Sequence, residues 1–284
     1  MVNWLLSPLS YEFMQRGLLI SILVGIVCAL IGCYVVLRGM AFLGDALSHA
    51  ILPGLAVGYL ASAGDRGALF WWALGTAIFT SVGIGALSRG VRIKQDTAIG
   101  IVFAGMFALG IALISTVRNY AVDLTHFLFG NVLGVTTNDL WLTLGVGIAV
   151  FVIIFVFYKE FLVLSFDPVL VTTLRLPARA LEILLSILMA VAIVISLQTV
   201  GVALVVALLV TPAAAASLIT KNLRSMMFFA SLIAAGSGVL GLYASFYLNI
   251  ASGAAIVLTC TLIFLLIWIW RQLVRSFVAQ AETR

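Results

Sequence analysis

The chain has 284 residues, of which 64% are hydrophobic and only 9% are charged, and its formal net charge is +5. Soluble domains have about 25% charged residues, so this composition excludes an ordinary soluble enzyme and indicates a polytopic membrane protein. The positive net charge is no sign of nucleic-acid binding, because in a membrane protein the distribution of basic residues matters more than their sum.

Nine apolar windows are long enough to cross a bilayer as helices of about 20 residues. They cover residues 17–37, 46–63, 67–88, 97–117, 140–158, 183–200, 201–220, 225–248 and 250–270. Only the region around Gly201 separates the sixth window from the seventh. The sequence therefore predicts an all-α fold with about nine spans, with eight as the alternative, in one transmembrane domain that covers residues 1–284.

Nine spans place the basic residues mainly on one side of the membrane. Twelve of the 15 lysines and arginines fall on the side of the C-terminus. The three on the other side are Arg16, Arg66 and Arg118. The positive-inside rule then predicts a cytoplasmic C-terminus and an extracytoplasmic N-terminus.

The second window contains a carboxylate and an imidazole, Asp45 and His49, in an otherwise apolar run. On a helix, four residues correspond to about 40° of rotation and about 6 Å of rise, so both side chains point the same way. An Asp at the centre of a membrane helix costs roughly 2.5–3.5 kcal/mol on insertion scales, so a compensating interaction is expected. The pair is either a site for a divalent transition metal or a structural Asp–His contact between helices.

Pro53 and Gly54 follow this pair by one turn. A proline cannot donate to the carbonyl four residues earlier, which here belongs to His49. We expect a bend that frees this oxygen beside the two side chains, and we expect Gly54 to allow a close helix approach. Pro53 and Gly54 are therefore predicted to line a pathway or kink, with a purely structural kink as the alternative.

Two loops differ from the rest. The outer loop, residues 118–139, contains His126 and the short apolar run 127–130, which is typical of a segment at the membrane interface. His126 is interpreted as an ordinary loop residue, with a metal-entry ligand as the alternative.

In the inner loop, residues 159–179, Asp167 precedes Pro168, and Pro177 follows. This pattern predicts a short capped helix on the cytoplasmic side, suited to docking a motor protein.

The sequence lacks several motifs that would define other functions. It has no GxxxxGK[ST] phosphate loop, so this chain alone does not hydrolyse ATP. It has no potassium-channel filter and no arginine-rich voltage helix. With only two histidines and no nucleophile–base pattern, a hydrolase is not indicated.

One Asp and one His are too few donors for a transition metal, but a two-fold dimer would bring two of each to a shared axis.

Several segments resemble one family. They are 33–54, which holds the Gly-Asp-Ala-Leu-Ser-His block and the Leu-Pro-Gly after it, then 98–105, 129–134 and 200–214. Together they are similar to the permease subunits of bacterial ABC importers for manganese, zinc and iron. The block around Asp45 and His49 is highly specific, whereas the other segments contribute mainly by their order.

The resemblance implies a type II ABC importer permease in the bacterial inner membrane. Its partners would be a second permease subunit, two cytoplasmic ATP-binding subunits and an extracytoplasmic metal-binding protein. The resemblance places Asp45 and His49 on the metal path, and it assigns ATPase docking to a loop near 160–179 that includes Phe166, Asp167 and Pro168. Val171 and Arg175 stand where the family usually has Ala and Gly.

The leading interpretation is therefore a permease that imports a divalent metal ion, with no permanently bound cofactor. Mn²⁺ is the first choice, because the donors are an oxygen and a nitrogen without thiolate, while Zn²⁺ and Fe²⁺ remain open. The alternative from another class is a secondary or proton-coupled transporter, in which Asp45 and His49 would relay protons.

Overall fold

The computed structural model describes residues 7–62, 66–91, 93–116, 132–166 and 168–282. Within these ranges the chain forms helices and no β-strand, so the predicted all-α class is confirmed. Short 3₁₀ turns lie at Pro8–Ser10 and Val132–Gly134. The α-helices are α1 (Glu12–Leu37), α2 (Leu43–Ala50), α3 (Leu52–Ser62), α4 (Arg66–Val91), α5 (Gln95–Ser115), α6 (Thr137–Val156), α7 (Tyr158–Phe166), α8 (Pro168–Thr173), α9 (Ala178–Val200), α10 (Val202–Ile219), α11 (Leu223–Leu248) and α12 (Ser252–Glu282).

In the described ranges, eight helices are long and apolar enough to cross a membrane: α1, α4, α5, α6, α9, α10, α11 and α12. The predicted span at 46–63 is not one of them, because the segment is divided at Ile51 into α2 and α3. The prediction of about nine spans therefore becomes eight unbroken helices and one broken segment. The break lies two residues before Pro53, the residue that cannot donate a backbone hydrogen bond.

Local signals set the ends of several helices. Gly201 has a φ of +85°, which favours glycine, and it separates α9 from α10. The sixth and seventh apolar windows are thus two helices. A capping box begins α6, where the backbone N–H of Asp139 donates to Thr136 Oγ1 and that of Thr136 donates to the Asp139 carboxylate.

The first helix is the core of the bundle. α1 packs against α6, α9, α10 and α11, and most of its apolar side chains are buried. At Gly32 the backbones of α1 and α10 approach so closely that an added Cβ would overlap the carbonyl oxygen of Leu209. Small residues allow such contacts between membrane helices. In contrast, the outward faces of α5, α6 and α12 expose large apolar side chains, as expected for surfaces that contact lipid.

One carboxylate joins the ends of three helices. Glu182, near the start of α9, lies 2.5 Å from the guanidinium of Arg89 and 3.7 Å from that of Arg38. Arg89 is in the last turn of α4, and Arg38 directly follows α1. Burial lowers the pKa of Arg38, and Glu182 partly offsets this effect. We call Arg38, Arg89 and Glu182 the Glu182 cluster. The distribution of basic residues places these three helix ends on the side of the C-terminus, and the cluster shows that they lie close together.

Candidate functional site

Asp45 and His49 lie one turn apart on α2, as their spacing predicts. Asp45 Oδ1 is 3.6 Å from His49 Nε2, too long for a direct hydrogen bond. Their side chains are 38% and 27% exposed, respectively. The two polar groups thus face the same open side of the subunit, with room between or beside them for a third atom.

The opposite face of α2 fixes this orientation. Leu43, Leu47 and Ala50 are buried in the bundle. Gly44 faces α10, where an added Cβ would lie 3.0 Å from the side chain of Leu209. Because apolar side chains anchor one face of this short helix, Asp45 and His49 are held on the other.

Two aromatic rings lie beside the imidazole of His49. The ring centroids of Phe103 and Phe107, both on α5, are 6.2 and 5.6 Å from that of His49, and the two phenyl rings stack on each other. Phe42 contacts Phe103 edge to face. His49 Nδ1 is buried and has no hydrogen-bond partner among the described residues. We call Phe103 and Phe107 the aromatic wall; sequence reasoning missed it.

The break at Ile51 lies directly beyond His49. Pro53 and Gly54 occupy the second and third positions of α3. At Gly110, α5 packs so closely on this segment that an added Cβ would lie 2.6 Å from Leu52 Cβ and 3.1 Å from Pro53 Cδ. α5 therefore contacts both parts of the broken segment, the aromatic wall at α2 and Gly110 at α3.

Gly54 allows α3 to pack tightly on α4. An added Cβ there would overlap Thr76 Oγ1 and lie 2.6 Å from the carbonyl oxygen of Trp72. Overpacking of this kind typically costs about 1–3 kcal/mol. We expect Gly54→Ala to lower the thermal midpoint of the purified protein in detergent and to reduce transport, measured by fluorescence-detected unfolding and uptake.

Gly75→Ala is the matched control. Gly75 is also a glycine of this helix pair, but an added Cβ there has no described neighbour within 4 Å. In a helix interior, alanine is more favourable than glycine by roughly 0.5–1 kcal/mol, so this variant should be as stable as the parent or slightly more so. Equal stability of the two variants would contradict the close packing at Gly54.

One subunit supplies few metal donors. The described residues contain no group of three or more His, Cys, Asp or Glu side chains that could hold a metal ion. Asp45 and His49 are the pair that the structure brings together at this face. Oxygen and imidazole nitrogen are suitable donors for Mn²⁺, Fe²⁺ or Zn²⁺, but such ions usually take four to six ligands.

The inner loop forms two short helices, α7 and α8. Phe161 and Leu164 are buried, whereas Phe166 at the end of α7 is 62% exposed. Pro168 is the first residue of α8. Asp167 lies outside the described residues, so its predicted capping role remains a prediction. The loop thus presents an exposed aromatic ring beside a short helix.

Val171 and Arg175, the two residues expected to depart from the family pattern, lie in or just after α8. Val171 is fully buried, so its larger side chain contributes to the packing of α8. Arg175 has a φ of +54°, a left-handed conformation that favours glycine. The backbone here therefore keeps a glycine-type turn between α8 and α9, although the residue is an arginine.

A groove of about 660 Å³ runs beside α7. Tyr158, Leu162 and Phe166 form its apolar wall, and Lys221 and Arg224 line it as well. The Arg224 guanidinium lies 5.3 Å above the ring of Tyr158, in the range of a cation–π contact. An exposed apolar surface next to fixed positive charge is typical of a protein-docking site.

His126 and the apolar run 127–130 lie outside the described residues, so their predicted roles remain predictions. The other predicted residues fall into two groups. Asp45, His49, Pro53 and Gly54 lie along the broken segment, and Phe166 and Pro168 lie in the α7–α8 loop.

Residues 10–271 match the family described as the ABC 3 transport family. Over 258 residues the chain is 46% identical to the manganese transport system membrane protein MntC of Halalkalibacterium halodurans, covering 91% of this chain and 87% of that protein. It is 37% identical over 267 residues to the chelated iron transport system membrane protein YfeD of Yersinia pestis, covering 94% and 88%.

A solved structure, PsaBC from Streptococcus pneumoniae in complex with Fab, includes a chain with the same fold. That chain is 38% identical, with a TM-score of 0.81 over 94% of this chain and 95% of the other. The family match and the shared fold thus define a membrane permease of the ABC type. The chain belongs to the ABC 3 transport family, and the resemblance stated from the sequence is confirmed.

Proposed function

We propose that this chain is the permease subunit of an ATP-driven importer that carries a divalent transition metal ion, Mn²⁺ foremost, into the cytoplasm. The observation that carries the proposal is the Asp45–His49 pair, with a carboxylate oxygen and an imidazole nitrogen 3.6 Å apart on a partly exposed helix face. In this role both residues bind the ion as it passes, and the ion is the transported substrate. Pro53 and Gly54 shape the path at the helix break.

A second copy of the chain completes the site in this proposal. One subunit offers two side-chain donors, and the described residues add no third. The pair faces outward rather than into the core of its own subunit. A two-fold dimer with the pathway at its interface would double the donors to two carboxylates and two imidazoles, within the coordination numbers that these metals accept.

The α7–α8 loop is the proposed docking site for a cytoplasmic ATP-binding subunit. Its support is the exposed Phe166 beside the groove that also contains Lys221 and Arg224. ATP hydrolysis then belongs to the partner subunits, and an extracytoplasmic protein delivers the metal. The excess of basic residues on this side supports a cytoplasmic position for the loop and for the C-terminus.

Mn²⁺ is proposed first because the donors are oxygen and nitrogen and because MntC is named for manganese transport. The Yersinia relative is named for chelated iron, so Fe²⁺ stays in the set to be tested together with Zn²⁺. Nothing among these relatives favours the secondary-carrier alternative.

The test is transport by the complete complex, reconstituted in vesicles with its ATPase and delivery protein. We expect ATP-dependent accumulation of Mn²⁺ that exceeds that of Zn²⁺ and Fe²⁺ at equal free concentration. Accumulation that proceeds without ATP but follows an imposed proton gradient would contradict the proposal and support the proton-coupled alternative.

A further inference from the structure

The groove beside α7 is built from two parts of the chain that are far apart in sequence. Its apolar wall comes from α7 and α8 and includes the exposed side chains of Phe166 and Leu170. Its other side is the turn between α10 and α11 with the first turn of α11, where Lys221 and Arg224 are exposed. We call it the α7 groove. A protein that covers Phe166 therefore meets this turn as well.

The α7 groove is positively charged on one side. Among the described residues that line it, Lys221 and Arg224 are basic and none is acidic. The Arg224 guanidinium lies 5.3 Å above the ring of Tyr158, and this cation–π contact holds it at the groove. The lining thus combines an apolar surface with two cations at one edge.

The start of α11 adds to the preference for negative charge. The N-terminus of a helix has a partial positive charge, which is stabilised by acidic groups. α11 has no acidic residue in its first turn, and its N-cap, Asn222, makes no side-chain capping hydrogen bond. Arg224 lies in this turn instead. Both basic side chains and the helix end therefore favour a carboxylate that approaches from outside the chain.

We propose that the α7 groove binds a segment of the cytoplasmic ATP-binding subunit in which an acidic side chain stands next to an apolar one, and that Lys221 and Arg224 select this partner. The inference rests on the proposed docking function and deepens it, because it names the chemistry of the partner surface. Apolar contact with Phe166 supplies the buried centre of the interface. The charges at its edge speed association and discriminate against subunits without the carboxylate.

Anionic lipid headgroups are the other negative groups near an inner membrane surface. Sites that attract such lipids typically have about four to eight clustered basic residues, whereas the α7 groove has two among its described lining residues. The two cations also share the groove with Phe166, so they are continuous with the proposed docking surface. These two observations favour a protein partner.

Lys221→Glu combined with Arg224→Glu tests the inference. We would measure binding of the purified ATP-binding subunit to the full chain in nanodiscs of neutral phosphatidylcholine, by biolayer interferometry. The affinity should fall about tenfold, mainly through slower association. Binding by the parent should weaken between about 0.01 M and 0.15 M salt, and the variant should depend less on salt.

Lys94→Glu is the matched control for charge reversal. Lys94 is an exposed N-cap residue of α5 and does not line the α7 groove. Its reversal should leave the affinity within about twofold of the parent. Parental affinity in the double variant, or an equal loss in the Lys94 variant, would overturn the inference. If the double variant does not fold, Lys221→Glu alone replaces it, because Lys221 lies in an exposed turn.

Two further arms identify the source of the negative charge. Asp167 adjoins Phe166 and lies outside the described residues, so the charge reversal is repeated in an Asp167→Asn background. A loss of affinity that persists there supports a carboxylate of the partner, whereas a loss that disappears would mean that Asp167 pairs with Lys221 and Arg224. Unchanged ATPase affinity with weaker binding to phosphatidylglycerol nanodiscs would assign the groove to lipid and overturn the inference.

A compensating change locates the carboxylate on the partner. Exposed Asp and Glu residues of the ATP-binding subunit are replaced singly by Lys, and one of them should restore binding to the double variant; no restoration by any would contradict the inference. Mn²⁺ uptake by the parent complex is scored separately. Absent uptake with salt-dependent ATPase binding intact would refute the proposed metal substrate and leave the role of the α7 groove standing.

Discussion

Asp45→Asn and His49→Ala should each abolish metal uptake while the complex still assembles. Asp45→Asn replaces a charged oxygen donor by a neutral amide oxygen, and His49→Ala removes the nitrogen donor; in the proposed dimeric site each change occurs twice. Loss of a group that only hydrogen-bonds a metal ligand lowers metal affinity by about 10–100-fold. A change to the ligand itself should therefore reduce uptake by at least about 100-fold. The measurement is Mn²⁺ accumulation by vesicles that contain the reconstituted complex, normalised to the amount of assembled protein.

Asp96→Asn is the matched control for charge. Asp96 is an exposed carboxylate in the first turn of α5, so the same chemical change there should leave uptake within about twofold of the parent, since surface substitutions usually have small effects. Accumulation at the parental rate in either site variant would remove Asp45 and His49 from the pathway. The structural interpretation of the pair would then be the better one.

Phe166→Ala combined with Asp167→Ala should release the ATPase or uncouple ATP hydrolysis from transport. Phe166 offers a large exposed aromatic ring beside the groove at α7. Buried aromatic residues at the centre of an interface can cost 2 kcal/mol or more when truncated, which is a roughly 30-fold loss of affinity. Co-purification of the tagged ATPase and metal-stimulated hydrolysis measure the two outcomes.

Phe155→Ala is the control: it tests whether truncation of any exposed phenylalanine would release the ATPase or uncouple hydrolysis from transport. Its ring is 75% exposed near the end of α6, but it does not line the groove. We expect this variant to retain the ATPase and full coupling. If the double variant also retains both, the docking surface lies elsewhere on the chain.

Hydropathy predicted the helices well, because a bilayer tolerates only backbone that is satisfied within its own segment. The window at 17–37 lies within α1, which begins five residues earlier, and the window at 250–270 begins two residues before α12, which continues to Glu282. At the start of α1, Glu12 and Arg16 form an i,i+4 ion pair, which keeps charged residues in the helix beyond the apolar window. These two windows therefore located the spans but underestimated the lengths of their helices.

The Asp45–His49 juxtaposition was predictable for a different reason. Residues four apart on a helix are neighbours whatever the tertiary structure, so the pair needed only α2 to form. The position of the break was less accessible. Pro53 indicates a bend, but the sequence does not show that the helix is interrupted at Ile51 or that α5 and α4 pack closely on α3.

The aromatic wall was beyond sequence reasoning. Phe103 and Phe107 have helical spacing, which predicts only that their rings are neighbours on one helix. Their contact with His49 joins residues more than 50 positions apart, and nothing in a hydropathy pattern specifies that pairing. The same holds for Glu182, whose two arginine partners come from helices far away in the chain.

The Glu182 cluster has a mechanical consequence. α9 begins directly after the α7–α8 loop, and α2 follows Arg38 after a short turn in which Gly39 has a φ of +67°. Because the Glu182 carboxylate contacts both Arg38 and Arg89, it connects the start of α9 to the ends of α1 and α4. If the proposed ATP-binding subunit docks at α8, we expect its movement to be transmitted through α9 and these two ion pairs to the turn before α2, and so to Asp45 and His49, the proposed metal-binding pair.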